Sequence, residues 1–219
     1  MTAAAKWTRI GWRAAIGALL SALAACPVGA TEQIDAAPLV EALLAQLAGA
    51  AGLRAEFLQI NKWTVIDAAD SARGTLVIAP PQRFLLEYRE PAGHRVGCDG
   101  QFVWTYIPEE RQVMRAAVTE TTGWGDFFLR GLEESVDSLA TLQEEGGRRC
   151  ACFMLGARPQ WGVRSLELKI DLATGDLVYC AYQDEEGNRI HFELRQVEFP
   201  IAFRDSLFHF TVPQGFELL

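Results

Sequence analysis

Two short segments alternate apolar and polar residues with a period of two, which is the pattern of a β-strand buried on one face. RFLLEY (83–88) and QFVWTYI (101–107) each place three large apolar side chains on one face: Phe84, Leu86 and Tyr88, then Phe102, Trp104 and Tyr106. Similar segments are LRAEFLQINKW, GTLVIA, RCACFML, SLELKID, DLVYCAYQD, RIHFELRQVEF and SLFHFTV. Turn sequences such as EPAG, ATGD and DEEGN separate them. The pattern predicts about ten strands.

Two other segments have the helical period instead. DAAPLVEALLAQLAGAAG carries a proline suited to a first helical turn, and its apolar stripe contains Leu39, Leu43 and Leu47. GDFFLRGLEESVDSLATLQEEGG spaces four apolar residues along one helical face, namely Phe128, Leu132, Val136 and Leu139. We expect this second helix to end at the Gly146-Gly147 pair.

The number of strands predicts how the apolar face is covered. Two short helices cannot cover ten strands that lie about 4.8 Å apart, so the sheet must curl over its own apolar face. We therefore expect a mainly β (α+β) fold: an unclosed antiparallel β-barrel of about ten or eleven strands, with two or three helices forming a lid over a hydrophobic cavity. For any single aromatic residue an ordinary core position is the better interpretation, because periodic aromatic residues usually belong to a core. The cavity is inferred from the strand count as a whole.

The N-terminal 30 residues have the order of a secretory signal peptide. Three basic residues precede the short apolar run AAIGALLSALAA, which is too short to span a bilayer. Cleavage after Ala30 is one possibility. The sequence LAAC is the other, because it resembles a bacterial lipobox that would make Cys26 a lipidated first residue. Both predict export and leave residues 31–219 as a single domain.

The net charge and the cysteines limit which kinds of binding site the chain can contain. The net charge of −8 argues against a nucleic-acid surface. In an oxidising compartment the four other cysteines predict one or two disulfides, and Cys150 and Cys152 are poorly placed to bond each other because they lie at strand spacing. Pairing of either with Cys98 or Cys180 is easier to accommodate. CxC with two distant cysteines is poor zinc spacing, so we expect no metal site.

The sequence carries few features of catalysis. His94, His191 and His209 are scattered without metal-type spacing, and G-x-S-x-G and phosphate-binding glycine loops are absent from it. Paired carboxylates fall on turns or on a helix surface, where solvation is the usual role. We expect a protein that is not an enzyme and needs no cofactor.

Five segments occur in an order that is similar to a known family. They are LRAEFLQ, GTLVIAPPQRFLLEYREP, CDGQFVWTYIPEERQV, YQDEEGNRIHFEL and SLFHFTVPQGFEL. Together they resemble the outer-membrane lipoprotein carrier proteins (LolA-type) from about residue 38 to the C-terminus. Pro80 stands where that family often has a basic residue that is thought to hold the lid by hydrogen bonding.

The resemblance implies a monomeric carrier in the periplasm of a Gram-negative bacterium. Such a carrier binds the acyl chains of lipoproteins in an apolar cavity and moves them from the inner to the outer membrane. Its implied partners are lipoproteins, an inner-membrane lipoprotein-releasing ABC transporter and an outer-membrane acceptor. An alternative is a lipid-anchored envelope module of the same fold, held by Cys26, that binds lipid or acts as a sensor.

The same resemblance assigns residues to two parts of the cavity. The acyl-chain-binding wall would contain Leu76, Ile78, Phe84, Leu86, Trp104 and Tyr106. The lid would contain Leu43, Leu47, Phe127, Phe128 and Leu132.

Overall fold

The computed structural model describes residues 32–118, 131–134, 139–157 and 162–219. Its strands are β1 (Gln33–Asp35), β2 (Leu53–Trp63), β3 (Ala68–Ala79), β4 (Arg83–Glu90), β5 (Arg95–Asp99), β6 (Phe102–Ile107), β7 (Gln112–Ala117), β8 (Leu139–Glu145), β9 (Arg148–Leu155), β10 (Val163–Asp171), β11 (Leu177–Asp184), β12 (Arg189–Glu198) and β13 (Glu217–Leu218). Helix α1 spans Ala37–Gly49, and a 3-10 turn spans Asp205–Phe208. No helix within these described ranges has the length and apolar character needed to cross a membrane.

The thirteen strands of the described residues form one sheet in the order β1-β8-β9-β10-β11-β12-β2-β3-β4-β5-β6-β7-β13. Neighbouring strands are antiparallel except β13, which pairs in parallel with β7. The sheet ends at β1 and β13, strands of three and two residues, so it remains unclosed. The predicted class, an unclosed antiparallel sheet with helices, is confirmed, and the two short edge strands raise its strand number above ten or eleven.

The strand register divides the sheet into two faces. Directly opposed residues of an antiparallel pair point to the same side, and Leu76 lies opposite both Ala55 and Leu86. Leu168 of β10 lies opposite Phe153 and Cys180 in the same way. All of these side chains are buried in one large apolar cluster. We call this side the inner face and the other side the outer face.

Helix α1 connects distant parts of the sheet across the inner face. It begins two residues after β1 and ends four residues before β2, although six strand spacings separate these strands in the sheet. A proline lies in its first turn. Its buried residues, Val40, Leu43 and Leu47, follow helical spacing and belong to the inner-face cluster. The helix therefore covers part of the inner face with an aliphatic stripe.

The second predicted helix ends earlier than its sequence pattern indicates, because residues from Leu139 onward form a strand. Residues 131–134 are helical, but Leu139–Glu145 form strand β8 rather than the helix's last turns. β8 pairs with β9, with Thr141 opposite Cys152, and the Gly146-Gly147 pair makes the turn between them with positive φ at both glycines. The expectation that the helix reaches Gly146 is wrong because strand pairing on both sides of β8 overrides local periodicity.

The segment SLFHFTV is not a strand either. Its first residues complete the 3-10 turn Asp205–Phe208, and the chain continues without regular structure to β13. Phe208 is buried against Val77 and Leu85, which lie on the outer face. We call residues 203–219 the C-terminal strap. The alternation of SLFHFTV thus reflects packing of the strap on the sheet and not pairing within it.

Candidate functional site

Four of the six predicted wall residues lie together on the inner face. Leu76 and Ile78 of β3 face Leu86 and Phe84 of β4, and all four are buried in the inner-face cluster. The alternation of each strand places them, because every second residue points inward. The wall is therefore continuous across these strands and entirely hydrocarbon there.

Trp104 and Tyr106 do not belong to this wall. Trp104 lies opposite Gly97, which lies opposite Leu85, so the three residues share the outer face. With Val113 the two aromatic residues form a separate cluster, packed by aromatic side chains of the strap. Their placement in the inner wall is corrected because the register of β5 against β6 puts Val103, not Trp104, opposite the inward-facing Cys98.

The wall extends well beyond the residues that the sequence indicated. β2 contributes Leu53, Ala55 and Phe57, and the far half of the sheet contributes Ala151, Phe153, Leu166, Leu168, Ile170, Phe192 and Leu194. Phe57 packs edge-to-face on Tyr88 and on Phe192, with ring centroids 5.3 and 5.7 Å apart. Alternation in SLELKID already marked the β10 residues as one apolar face, but only the strand order places that face beside β2.

Three of the residues predicted for the lid are described, and they pack against this wall. Leu43 and Leu47 are buried on α1, and Leu132 is fully buried in the same cluster. A Cβ added to Gly131 would lie 2.5 Å from the Leu166 side chain, so the backbone of this helical segment rests directly on β10. Phe127 and Phe128 lie outside the described residues. The lid residues that are described thus cover the wall through hydrocarbon contacts.

The four cysteines are free thiols, contrary to the expected disulfides. Cys98 and Cys180 are part of the inner-face cluster, whereas Cys150 and Cys152 lie opposite Asp171 and Lys169 on the outer face. A pair drawn from different faces is separated by the sheet, and Cys98 and Cys180 are five strands apart. Burial raises the pKa of the Cys180 thiol to about 12, so it is inert while it stays covered.

A row of polar side chains interrupts the inner face near the hairpin that joins β2 to β3. It consists of Gln59, Asn61, Trp63, Asp70 and Tyr88, and we call it the polar row. Its members connect by hydrogen bonds of 2.6–2.8 Å between successive side chains. Burial raises the pKa of Tyr88, so its hydroxyl stays protonated and donates to Gln59 Oε1.

The C-terminal strap is attached to the outer face by hydrogen bonds as well as by apolar contacts. The Tyr106 hydroxyl donates to the Thr211 carbonyl at 2.9 Å, and Leu219 N donates to the Val113 carbonyl at 2.8 Å. Phe210 stacks on Trp104 at 6.2 Å and approaches Gly97 so closely that a Cβ there would lie 2.3 Å from its ring. These contacts hold the strap firmly in place.

A cavity of about 470 Å³ opens between the strap and the outer face. Its lining combines Leu85, Tyr106 and Phe210 with the ion pair of Arg95 and Glu87, whose closest atoms are 2.9 Å apart. The cavity lies on the side of the sheet opposite the apolar wall. It is therefore separate from the candidate site.

The described residues offer little catalytic chemistry. They contain no group of three potential metal ligands close enough to hold an ion. On the outer face, Cys152 Sγ lies 3.4 Å from Glu167 Oε1, and burial together with that carboxylate raises the thiol's pKa to about 12. Glu167 itself pairs with Lys169 and Arg189. This cluster neutralises buried charge and holds no activated nucleophile.

The family model and the curated relatives that match this sequence name the same family. The model of the outer membrane lipoprotein carrier protein LolA matches residues 48–211. An outer-membrane lipoprotein carrier protein of Hahella chejuensis is 24% identical over 204 residues, which cover 92% of this chain and 97% of the relative. One from Methylibium petroleiphilum is 28% identical over 153 residues, covering 68% and 73%. A solved LolA superfamily protein of Nitrosomonas europaea aligns at 9% identity with a TM-score of 0.39, covering 78% of this chain and 97% of that one.

Proposed function

The chain belongs to the outer membrane lipoprotein carrier family (LolA), and from this premise we propose that it is a periplasmic carrier of lipoproteins. It binds their acyl chains on the inner face and moves them from the inner to the outer membrane. An inner-membrane lipoprotein-releasing ABC transporter loads it, and an outer-membrane acceptor unloads it. The observation that carries the proposal is the continuous hydrocarbon wall beneath an aliphatic helix stripe.

The energetics of the cargo require such a wall. Each buried methylene contributes roughly 0.8 kcal/mol, so the acyl chains of one lipoprotein represent tens of kcal/mol of apolar burial. A soluble carrier must offset most of that cost in water and still release its cargo. A wall that is covered by its own lid meets both needs, because closing the lid replaces the contacts that a departing acyl chain gives up.

The lid is therefore a competitor of the cargo. Val40, Leu43 and Leu47 occupy the inner face when no cargo is present, and acyl chains displace them. The observed affinity is then the intrinsic affinity of the wall reduced by the cost of opening the lid. Aliphatic contacts without fixed direction suit this exchange because acyl chains make contacts of the same kind.

A release assay tests the proposal directly. Purified mature protein is added to spheroplasts of a Gram-negative bacterium, and lipoprotein in the supernatant is measured by immunoblot. We expect release in proportion to the amount of carrier added. If the wild-type protein releases no lipoprotein while an established carrier does so in the same preparation, the proposed function is wrong.

Two neighbouring substitutions on β4 connect the assay to the wall. Leu86→Gln places an amide in the inner wall, and Glu87→Gln places the same residue on the exposed outer side. We expect Leu86→Gln to lower release at least tenfold and Glu87→Gln to leave it unchanged, since an exposed ion pair contributes little. Circular dichroism and thermal melting give the folded fraction of each variant, and release is expressed per folded molecule.

The LAAC sequence supports an anchored form as the second candidate. If Cys26 is acylated, the protein is a membrane-bound module that binds lipid or acts as a sensor and does not cross the periplasm. Labelling of cells with a radioactive fatty acid, with and without an inhibitor of lipoprotein signal peptidase, distinguishes the two. Label that disappears in Cys26→Ser supports the anchored form, and unlabelled protein of a size that fits cleavage after Ala30 supports the free carrier.

A further inference from the structure

The inner face changes character along β2. Leu53, Ala55 and Phe57 are buried hydrocarbon, whereas the next two inward-facing residues, Gln59 and Asn61, are polar and only partly buried. At about 3.4 Å per residue, the apolar stretch from Leu53 to Phe57 covers about 14 Å of strand, and the polar stretch from Gln59 to Asn61 covers about 7 Å. The wall therefore has an apolar end next to α1 and a polar end next to the β2–β3 hairpin.

The polar end is organised as a chain of hydrogen bonds across three strands. Tyr88 donates to Gln59 Oε1 at 2.8 Å, and Gln59 Nε2 donates to Asn61 Oδ1 at 2.8 Å. Asn61 Nδ2 donates to Asp70 Oδ1 at 2.6 Å, and Trp63 Nε1 donates to Asp70 Oδ2 at 2.7 Å. This chain fixes the side-chain rotamers of the row, so that its donors are preorganised.

The polar row contains side-chain N–H donors that its own hydrogen bonds do not use. A side-chain amide has two N–H groups, and within the described part of the chain Gln59 and Asn61 each use one of them inside the row. Gln59 lies opposite Phe192 and Asn61 lies opposite Ile190, so the remaining N–H groups belong to inner-face side chains, where an acceptor would complete them. The carbonyl oxygens of esters and amides are acceptors, and these groups occur where acyl chains join their head.

We propose that the polar row is a subsite for the carbonyl groups at the head of an acylated ligand, which orients the ligand with its chains toward α1. The ligand class is an amphiphile with ester or amide carbonyls next to long acyl chains, such as a diacylglyceryl-cysteine peptide. The inference rests on the proposed function, since it assumes that acyl chains occupy the wall. It also gives the bound cargo a direction: the peptide portion leaves the site beside the β2–β3 hairpin.

Binding of two probes separates this subsite from the wall. One probe is a pyrene-labelled hydrocarbon without carbonyl groups, and the other is a synthetic dipalmitoyl-glyceryl-cysteine peptide. We expect Gln59→Leu and Asn61→Leu, combined in one protein, to weaken binding of the lipopeptide about tenfold and to leave hydrocarbon binding within twofold. Leu86→Gln, the wall control, should weaken both. If the double variant binds both probes equally more weakly, or binds both as the wild type does, the proposed subsite is wrong.

A second measurement on the wild-type protein tests orientation without substitutions in the row. Lipopeptides that carry a photoreactive group either at the end of an acyl chain or on the peptide are cross-linked, and the sites are mapped by mass spectrometry. We expect the acyl-end group to label β2 near Leu53 and the peptide group to label 61–66. The reverse pattern, or labelling of both regions by both probes, contradicts an oriented ligand.

The outcomes distinguish a failure of the carbonyl subsite from a failure of the proposed carrier function. If neither probe binds to the wild-type protein, the proposed function fails with the subsite. If both probes bind and the double variant treats them alike, only the subsite fails, and the row is then a solvated rim of the sheet.

Discussion

Both faces of the sheet carry buried apolar clusters, a large one on the inner face and two small ones on the outer face, and the two faces are covered in different ways. On the inner face, the residues of α1 that touch the wall are aliphatic, namely Val40, Leu43 and Leu47. On the outer face, the strap packs on Trp104 and Tyr106 and is also held by directed bonds, including Tyr106 to Thr211 and backbone pairing at β13. Hydrocarbon contacts are interchangeable with an acyl chain, whereas hydrogen bonds are not. We therefore propose that the inner cover is the displaceable one.

The largest expected effect concerns the outer face. Trp104→Ala removes a buried indole that stacks on Phe210 and donates to Asp99 Oδ2 at 2.8 Å. We expect it to lower the free energy of unfolding by about 3–5 kcal/mol, because a large buried ring leaves a cavity. Urea denaturation measures this loss. Binding of a lipopeptide per folded molecule should stay the same. If binding per folded molecule falls, Trp104 is part of the acyl-chain-binding wall after all.

Two leucine truncations compare the lid with the wall. Leu47→Ala on α1 and Leu168→Ala on β10 both remove buried methyl groups, and each should cost about 2–5 kcal/mol of stability. Their effects on lipopeptide affinity should be opposite. The lid variant should bind more tightly, by up to tenfold for every 1.4 kcal/mol by which closure is weakened, and the wall variant should bind more weakly.

Titration of each variant with a fluorescent lipopeptide measures this difference. Ala42→Gly on the exposed side of α1 is the control, because it lowers helix propensity without touching the wall. If Leu47→Ala weakens binding as Leu168→Ala does, α1 is a part of the binding surface and not its competitor.

Thiol reactivity gives a smaller but direct report on lid opening. Cys180 lies on the inner face and Cys152 on the outer face, and both are nearly inaccessible. In proteins that retain only one of these cysteines, we expect Leu47→Ala to speed maleimide labelling of Cys180 severalfold and to leave Cys152 unchanged. Excess lipopeptide should slow labelling of Cys180 again, because acyl chains take the place of the lid. Equal acceleration at both thiols would indicate general loosening instead.

The smallest effect is a pH dependence at the β5–β6 hairpin on the outer face. Although burial raises the pKa of Asp99, hydrogen bonds from the Phe102 and Gln101 backbone and from Trp104 outweigh it and lower the pKa overall. A carboxyl with a lowered pKa stabilises the folded protein above its ordinary value near 4 and loses that contribution as the pH falls through the folded pKa. The melting temperature of the wild type should therefore fall more steeply below pH 4 than that of Asp99→Asn. Parallel curves would exclude this role.

The periodicity of the strands placed Phe84 and Leu86 on one apolar face, and the family resemblance added Leu76 and Ile78 as wall residues. The sequence could not place Trp104 and Tyr106 on the correct face of the sheet. Alternation divides the residues of a strand between two faces, but it does not show which of these faces lies on the inner side of the sheet. That choice depends on the register Cys98–Val103 across a short hairpin.

Long-range pairing explains the other differences. Leu139 has helical spacing from Leu132, yet it begins β8 because β1 and β9 offer hydrogen-bonding partners on both sides. The strap alternates like a strand but packs across the sheet. The polar row was visible as Gln59 and Asn61 in LRAEFLQINKW, but its connection to Tyr88 required the β2–β3–β4 register.

Hydrogen–deuterium exchange with and without a diacylated lipopeptide tests most directly whether the inner cover alone is displaceable. A helix of 13 residues that loses its packing is marginal in water, so its amides should exchange faster once it leaves the wall. We expect faster exchange within Ala37–Gly49 on ligand binding and unchanged protection at Glu217–Leu218 and in β7. Increased exchange in the strap while α1 stays protected would contradict it.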